Sequence, residues 1–330
     1  MKRLEMRWLF AWLTLLVFGP LASAQSLSVT SPTNGAFLGT SNQVRFLITN
    51  IDVEANVRVV ATGPGGVTFT NEGDFNPNAE LQISSQLSLN IQTGSPEGAY
   101  TIVVTAKRKD NGFVFGTATI NVQLDVTKPK FLQFNPLNGT FVRGIVLINV
   151  LVQEPNFKDY RVQANSNDIP NGTGETLTGG EFSVSWDTSG IQFDGAQSIN
   201  IRLRDQANNE DTRTISVTLD RINPSVAIVQ PRSDVPLRAR SNVSVAVDIN
   251  DASTTSVDVT GIEVIARTMG NGYIAHAARQ SYRNTSGNTM RWAGRIRYTN
   301  RIPNQFKIVV NVIDRAGNRA TTQEVVVQYR

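Results

Sequence analysis

One stretch of sequence recurs along this chain and constrains its fold more than any other feature. Residues 182–209 contain a strand-like segment that ends at Trp186, a polar turn, an alternating segment and a second tight polar turn. Related stretches begin at Tyr100 and near Phe306. Alternation of apolar and polar residues has the period of two that a β-strand needs to bury one face. We therefore predict one β-module that is repeated three times along the chain.

Strand signals continue through the rest of the chain. Val44, Phe46 and Ile48 alternate with polar neighbours, and Gly, Asn, Asp, Ser and Pro recur about every 8 to 12 residues, a spacing typical of β-sandwiches. No long segment has the apolar spacing of an amphipathic helix with caps. The predicted fold is all-β, a tandem of three immunoglobulin-like antiparallel β-sandwiches.

Two proline-containing segments indicate the domain boundaries. They read Asp125-Val-Thr-Lys-Pro129 and Asp220-Arg-Ile-Asn-Pro224. Proline fixes φ, donates no backbone hydrogen bond and restricts the preceding residue, so it suits a linker. The two prolines lie about 95 residues apart, close to the length of about 100 residues of an immunoglobulin-like domain. We predict domains at residues 25–124, 125–221 and 222–330.

The first 24 residues have the pattern of a cleaved secretory signal peptide. A basic start with Lys2 and Arg3 precedes an apolar run and the small residues Ala22-Ser23-Ala24. No other segment is apolar enough to span a membrane. There is no cysteine, so each domain must be stabilised by its own core without disulfides. These features predict a bacterial exported protein, located in the periplasm, at the cell surface or outside the cell.

The recurring stretch resembles a known family signature. Trp186-Asp-Thr-Ser-Gly, then Phe193-Asp-Gly195, then Asp205-x-Ala-x-Asn is similar to the W-D-T … D-G-x-Y … D-x-A-G-N pattern of bacterial immunoglobulin-like (Big or fibronectin III-like) repeats in exported and surface proteins. Asp314-Arg-Ala-Gly-Asn318 matches the last part more closely, whereas Asn208 stands where the family has glycine. The resemblance implies the sandwich fold and occurs in adhesins and in spacer domains of enzymes.

No enzyme is predicted, and no residue is assigned a catalytic role. Nucleophilic catalysis needs an activated Ser, Cys or Thr beside a base, but the chain has no cysteine and a single histidine, His276. Paired carboxylates could serve glycoside hydrolysis, and Asp187, Asp194 and Asp205 are the candidates. Each lies in a turn-rich segment, where aspartate bonds to nearby backbone amides. We interpret the three as turn residues.

Calcium is the one cofactor that the sequence suggests. Hard cations bind carboxylate, amide and carbonyl oxygens. Asp125, Asp205 and Asp220 lie in linkers or terminal turns and could approach one another near the domain ends. Ordinary turns and linker caps are the alternative interpretation.

The third predicted domain differs from the others in charge. The domains carry net charges of −2, −3 and +7 in chain order. In the segment 291–298, alternation places Arg291, Arg295 and Arg297 on one face and Trp292 on the core face, so Trp292, like Trp186, is predicted to be structural. Tyrosines, Tyr273 among them, are interleaved. Arginine suits carboxylate, sulfate and phosphate groups, and the predicted ligand-binding residues are Arg279, Arg283, Arg291, Arg295, Arg297 and Arg301.

These observations favour a non-enzymatic exported protein for adhesion, envelope structure or ligand presentation. Its partner would be a protein or an anionic polysaccharide at the cell envelope, because a surface of one charge sign concentrates polyanions. No motif for specific nucleic acid recognition is present, and no oligomeric state is favoured. A carbohydrate-binding accessory protein for a separate enzyme is the alternative function. A solvated strand face that deters edge-to-edge pairing is the alternative reading of the arginines.

Overall fold

A computed structural model describes residues 24–329, apart from residues 41, 93, 238–241, 252–256, 287 and 298–302 and the side chains of residues 257–260 and 286. The predicted signal peptide lies outside this range except for Ala24. Within it, every regular element is a strand except a 3-10 turn at Pro64–Gly66. No described helix is long and apolar enough to cross a membrane. The predicted fold class, tandem immunoglobulin-like β-sandwiches, is confirmed.

The first domain is a sandwich of a three-stranded and a five-stranded sheet. The strand orders are β1-β3-β6 and β2-β8-β7-β4-β5, and only β2 pairs in parallel, with β8. Alternation turns Val44, Phe46 and Ile48 inward, where they are at most 1% exposed. The strands are β1 (Ser26–Ser31), β2 (Phe37–Leu38), β3 (Gln43–Thr49), β4 (Ala55–Thr62), β5 (Thr68–Phe75), β6 (Gln82–Ser88), β7 (Gly98–Arg108) and β8 (Val114–Leu124).

The second domain repeats this plan strand for strand. Its sheets have the orders β14-β11-β9 and β10-β16-β15-β12-β13. Trp186 pairs with Val146 across β14 and β11 and lies in the core at 4% exposure. The strands are β9 (Lys130–Asn135), β10 (Phe141–Val142), β11 (Ile145–Gln153), β12 (Phe157–Ala164), β13 (Asn167–Gly174), β14 (Glu181–Asp187), β15 (Gly195–Asp205) and β16 (Glu210–Leu219).

The third domain joins its two layers into one seven-stranded sheet of order β17-β18-β21-β20-β19-β22-β23. Strand β20 causes this, because its first residues pair with β19 and its later residues pair with β21. Trp292 is 3% exposed and packs in this domain's core. The strands are β17 (Ser225–Gln230), β18 (Asn242–Asn250), β19 (Val257–Arg267), β20 (Tyr273–Ser286), β21 (Thr289–Arg297), β22 (Gln305–Asp314) and β23 (Gln323–Gln328).

Packing divides the chain into two compact units, Met1–Thr127 and Lys128–Arg330. The second unit contains both the second and the third sandwich, and these two touch. Arg143 Nε donates to the carbonyl of Ala316 at 3.1 Å, and the guanidinium of Arg315 lies over the ring of Phe141. Asn318 Nδ2 donates to the carbonyl of Asp220 at 2.9 Å. The turn after β22 is therefore a contact surface for the preceding domain.

Candidate functional site

Arginines of β20 and β21 form a basic surface on the third domain. Along β21, Trp292, Gly294 and Ile296 are buried, while the residues between them point outward. Arg283 pairs with Arg291 across the two strands and so shares the outer face. We call the outward set the arginine face; it consists of Arg283, Arg291, Arg295 and Arg297.

Arg291 is neutralised by a partner that the sequence interpretation missed. Its Nε and Nη2 atoms each donate to Asp248 at 2.6 Å, a bidentate ion pair across β18 and β21. Hydrogen bonding to that carboxylate, more than its charge, raises the pKa of Arg291. The prediction that Arg291 binds an outside ligand did not anticipate this partner, because the register brings Asp248 from 43 positions earlier in the chain.

Arg295 and Arg297 have small or neutral neighbours instead. Register pairs Arg295 with Ser244 and Ala278, and Arg297 with Asn242. Among the described residues neither arginine forms an ion pair, and Arg295 Nε is a buried donor for which those residues supply no acceptor. Their charges therefore remain available to an outside anion.

The other predicted arginines are placed differently. Arg279 is exposed but pairs with Gly294, so it lies on the opposite face of the sheet from Arg295. Arg301 lies outside the described residues, as does Tyr298. The six predicted arginines do not share one surface, because a register shift between Arg279 and Ser281 puts Arg279 on the other face from Arg283, four residues later on the same strand.

An aromatic pair stands at the Arg297 end of the arginine face. The rings of Tyr273 and His276 lie 5.2 Å apart, and Tyr273 is 60% exposed. Ala277 pairs with Ile296, so His276 and Arg297, both exposed, are the next residues outward on the two neighbouring strands. The surface there combines an aromatic ring, an imidazole and a guanidinium group that forms no ion pair with the described residues.

A cavity of about 540 Å³ lies on the other side of β18. Asn242 and Ser244, the register partners of Arg297 and Arg295, contribute to its wall. Among its described lining residues the only charged one is Arg232. The surroundings of the arginine face therefore add positive charge on this side as well.

Three buried aspartates form a second cluster within the second unit. Asp220, Asp251 and Asp314 each place a carboxylate oxygen within 4.8 Å of the others, and all three are at most 4% exposed. Asp314 accepts bonds from the backbone N and the Nδ2 of Asn318 at 2.8 and 2.7 Å. Burial raises the pKa of Asp314; those bonds lower it, and the charges of Asp220 and Asp251 raise it further. Oxygen-rich clusters of this kind suit hard cations.

The prediction that Asp125, Asp205 and Asp220 approach one another is wrong for the last two. Strands β15 and β16 pair from Gly195–Leu219 to Arg204–Glu210. Asp205 and Asp220 therefore stand at opposite ends of one hairpin, roughly 30 Å apart at the usual rise per residue. Asp205 instead lies within 4.8 Å of Glu154. Asp125, at the end of the first unit, stays a predicted ligand.

The remaining aspartates of the recurring stretch have ordinary partners. Asp187 accepts a bond from the backbone N of Ser189 at 2.9 Å, which closes the turn after β14. Asp194 forms an ion pair with Arg221 at 2.6 Å. These contacts agree with the interpretation of both residues as structural.

Comparisons with known proteins are limited to solved structures. No protein-family model and no curated protein matches the sequence. Fibronectin(III)-like modules of Clostridium thermocellum CbhA match with a TM-score of 0.40 and 11% identity, over 61% of this chain and 94% of theirs. An I-band fragment of titin matches with a TM-score of 0.36 and 11% identity, over 92% of this chain and 97% of the fragment. A 1.5-MDa bacterial ice-binding adhesin matches with a TM-score of 0.31 and 16% identity, over 92% of this chain and 96% of the solved adhesin chain. At such TM-scores these similarities carry no argument, and the fold assignment rests on the sheets themselves.

Proposed function

We propose that this protein is a non-enzymatic, exported immunoglobulin-like protein that binds an anionic partner at the cell envelope, in adhesion or ligand presentation. The arginine face of the third domain is its contact surface. The observation that carries the proposal is the pairing of Arg295 and Arg297 with Ser244, Ala278 and Asn242 rather than with acids.

Physical reasons support an anionic partner over a purely structural role. Ion-paired charges, such as Arg291 with Asp248, are sufficient to keep an exposed strand face soluble. Guanidinium groups without an ion pair among the described residues, on a domain of net charge +7, attract polyanions over about 8 Å at physiological salt. The planar fork of arginine then binds carboxylate or sulfate in a bidentate manner.

The test is binding of the mature chain to immobilised polyanions at two salt concentrations. The double variant R295Q/R297Q should weaken binding at least tenfold at low salt and reduce its salt dependence. A matched control, R58Q/R319Q, removes the same charge from two exposed arginines outside the arginine face and should change affinity less than about twofold, since distant charges are screened. Equal losses in both variants would mean attraction by net charge alone.

We also propose that calcium binds at Asp220, Asp251 and Asp314. What supports this is the enclosure of three buried carboxylates within 4.8 Å of one another, because a divalent cation such as calcium binds carboxylate oxygens gathered in this way. The site joins the second domain to the third, so the ion would stiffen this junction. The proposal is confined to these three residues, and calcium binding by Asp125 or Asp205 remains a prediction.

Calcium binding has a direct measurement in thermal unfolding. Calcium at about 100 times its Kd should stabilise the folded state by about 2.7 kcal/mol, seen as a higher melting temperature than in chelator. Trp186 and Trp292 are the only tryptophans after residue 24, so W186F leaves Trp292 as reporter of the third domain. D251N should abolish the shift, whereas E324Q, a change at an exposed carboxylate, should keep it. An unchanged melting temperature would refute the site.

A further inference from the structure

The surface between Tyr273 and Arg297 points to an acidic sugar polymer as the anionic ligand. We infer that Tyr273 stacks on a sugar ring while Arg295 and Arg297 bind the carboxylate or sulfate groups of the same chain. The inference rests on the proposed function, because it names the partner class of the arginine face.

The hairpin between β19 and β20 holds Tyr273 in place. Its turn is closed by bonds from Thr268 N to Gly272 O at 2.8 Å and from Gly272 N to Thr268 Oγ1 at 2.9 Å. Arg267 Nη1 donates to the carbonyl of Asn271 at 3.0 Å, which braces the same turn. A register shift between the Ala266 and Arg267 pairs then brings Tyr273 beside the ring of His276. An exposed ring held in this way loses little conformational entropy on binding.

The spacing of the arginines along β21 favours a long ligand. The Tyr273 ring lies 5.2 Å from the ring of His276, and His276 is directly across from Arg297, because Ala277 pairs with Ile296. Arg295 lies two residues further along the same face, which corresponds to roughly 7 Å along a strand. A polymer with repeating acidic groups matches this spacing and extends to the ring.

The aromatic ring is what favours a sugar over an acidic protein segment. Arginines alone would serve either ligand, but an exposed ring offers a flat face to the apolar C–H face of a sugar. Single-stranded nucleic acid also combines stacking with charge, but its binding surfaces stack successive bases on several aromatic side chains. Along the described part of this face, Tyr273 is the one large aromatic side chain that is mainly exposed.

The experiment measures affinity of the mature chain for four immobilised polymers. These are polygalacturonate, dextran sulfate, polyglutamate and single-stranded DNA. Y273A should weaken binding to the two acidic polysaccharides about fivefold and leave polyglutamate binding unchanged, because only a sugar uses the ring. Y273F should retain full affinity. F113A, which removes an equally exposed ring from the first domain, is the matched control and should change nothing.

Each result separates this inference from the proposed function. If Y273A binds both polysaccharides as tightly as the unchanged chain while R295Q/R297Q loses them, the sugar assignment is wrong and the anion-binding function stands. Tighter binding to polyglutamate or to DNA than to either polysaccharide also overturns the sugar assignment. If R295Q/R297Q binds all four polymers normally, both proposals fail. Far-ultraviolet circular dichroism checks that each variant is folded.

Discussion

Two copies of one turn motif, Asp205–Asn209 and Asp314–Asn318, have the same local structure and different surroundings. In both, the aspartate accepts bonds from the backbone N and Nδ2 of the asparagine four residues later, at 2.7 to 2.8 Å. Backbone bonds between the two end residues close each turn. The shared motif therefore encodes a hydrogen-bonded turn, and its residues need no further role to explain that.

The fourth position of the motif separates the two turns. Asn208 has a φ of +65°, and its side chain accepts a bond from Lys158 Nζ at 2.7 Å within its own domain. Gly317 has a φ of +87°, and the guanidinium of Arg143, from the preceding domain, lies 3.5 Å from where a Cβ would be. Asparagine tolerates this backbone region better than most residues. The first turn thus contacts Lys158 of its own domain at this position, whereas the second turn contacts Arg143 of the preceding domain.

Replacing the final asparagine should reveal the difference most clearly. Asn318→Ala removes bonds to Asp314 and to the carbonyl of Asp220 from a residue that is 2% exposed. We expect it to lower the free energy of unfolding of the third domain by about 3 kcal/mol, because buried acceptors lose their donor. Asn209→Ala, at a partly exposed residue, should cost about 1 kcal/mol in the second domain.

Urea unfolding followed by a single tryptophan measures both values. W186F reports on the third domain and W292F on the second, and each asparagine variant is compared with its own single-tryptophan parent. Equal costs in the two domains would show that the bond to the Asp220 carbonyl contributes nothing and that the turns are equivalent.

Substitutions at the fourth position should have a smaller effect on stability, and the second turn should lose more than the first. Gly317→Ala forces a Cβ into the left-handed region and should cost about 1 kcal/mol. Asn208→Gly relieves that backbone strain but loses the bond from Lys158, so the net change should stay within about 0.5 kcal/mol. The same urea titrations decide this, and a neutral Gly317→Ala would contradict the role given to the backbone conformation.

Removing the contact from the preceding domain should have the smallest effect on stability. Arg143→Gln loses one bond, from Nε to Ala316 O, at an exposed site, and should lower the free energy of unfolding by no more than about 0.5 kcal/mol. Its effect should instead appear as faster proteolysis of the linker at residues 220–224, because the junction opens more often. Arg213→Gln, an arginine that stacks on Phe131 within the second domain, is the control and should leave the cleavage rate unchanged.

The sequence predicted what depends on local periodicity. Alternation alone placed Trp186 and Trp292 in the cores and sent Arg295 and Arg297 to the surface. It could not give cross-strand register, which decides that Arg291 meets Asp248 while Arg295 meets Ser244. Register is set by turn geometry and packing along whole strands, so a partner 43 residues away is invisible in a local pattern.

The cluster of Asp220, Asp251 and Asp314 was also not predicted from the sequence, although a comparison of the modules contains a signal for it. Asp314 occupies the motif position of Asp205, and Asp251 follows strand β18 as Glu154 follows β11. Comparing the modules position by position would have paired Asp220 with these two residues. Treating Asp125, Asp205 and Asp220 as one group failed because it ignored that an antiparallel hairpin separates the last two by its full length.

Strand β20 has a consequence for how the third domain meets other molecules. The first and second sandwiches each end in four edge strands, two for each sheet. In the described part of the third domain, β20 instead runs from one layer into the other, because it pairs with β19 up to His276 and with β21 from Ala277 onward. Edge strands carry unpaired backbone groups that invite pairing with another chain. Where β20 crosses between the layers its backbone is already paired, so a partner that meets the surface near His276 and Arg297 is selected by side chains rather than by strand addition.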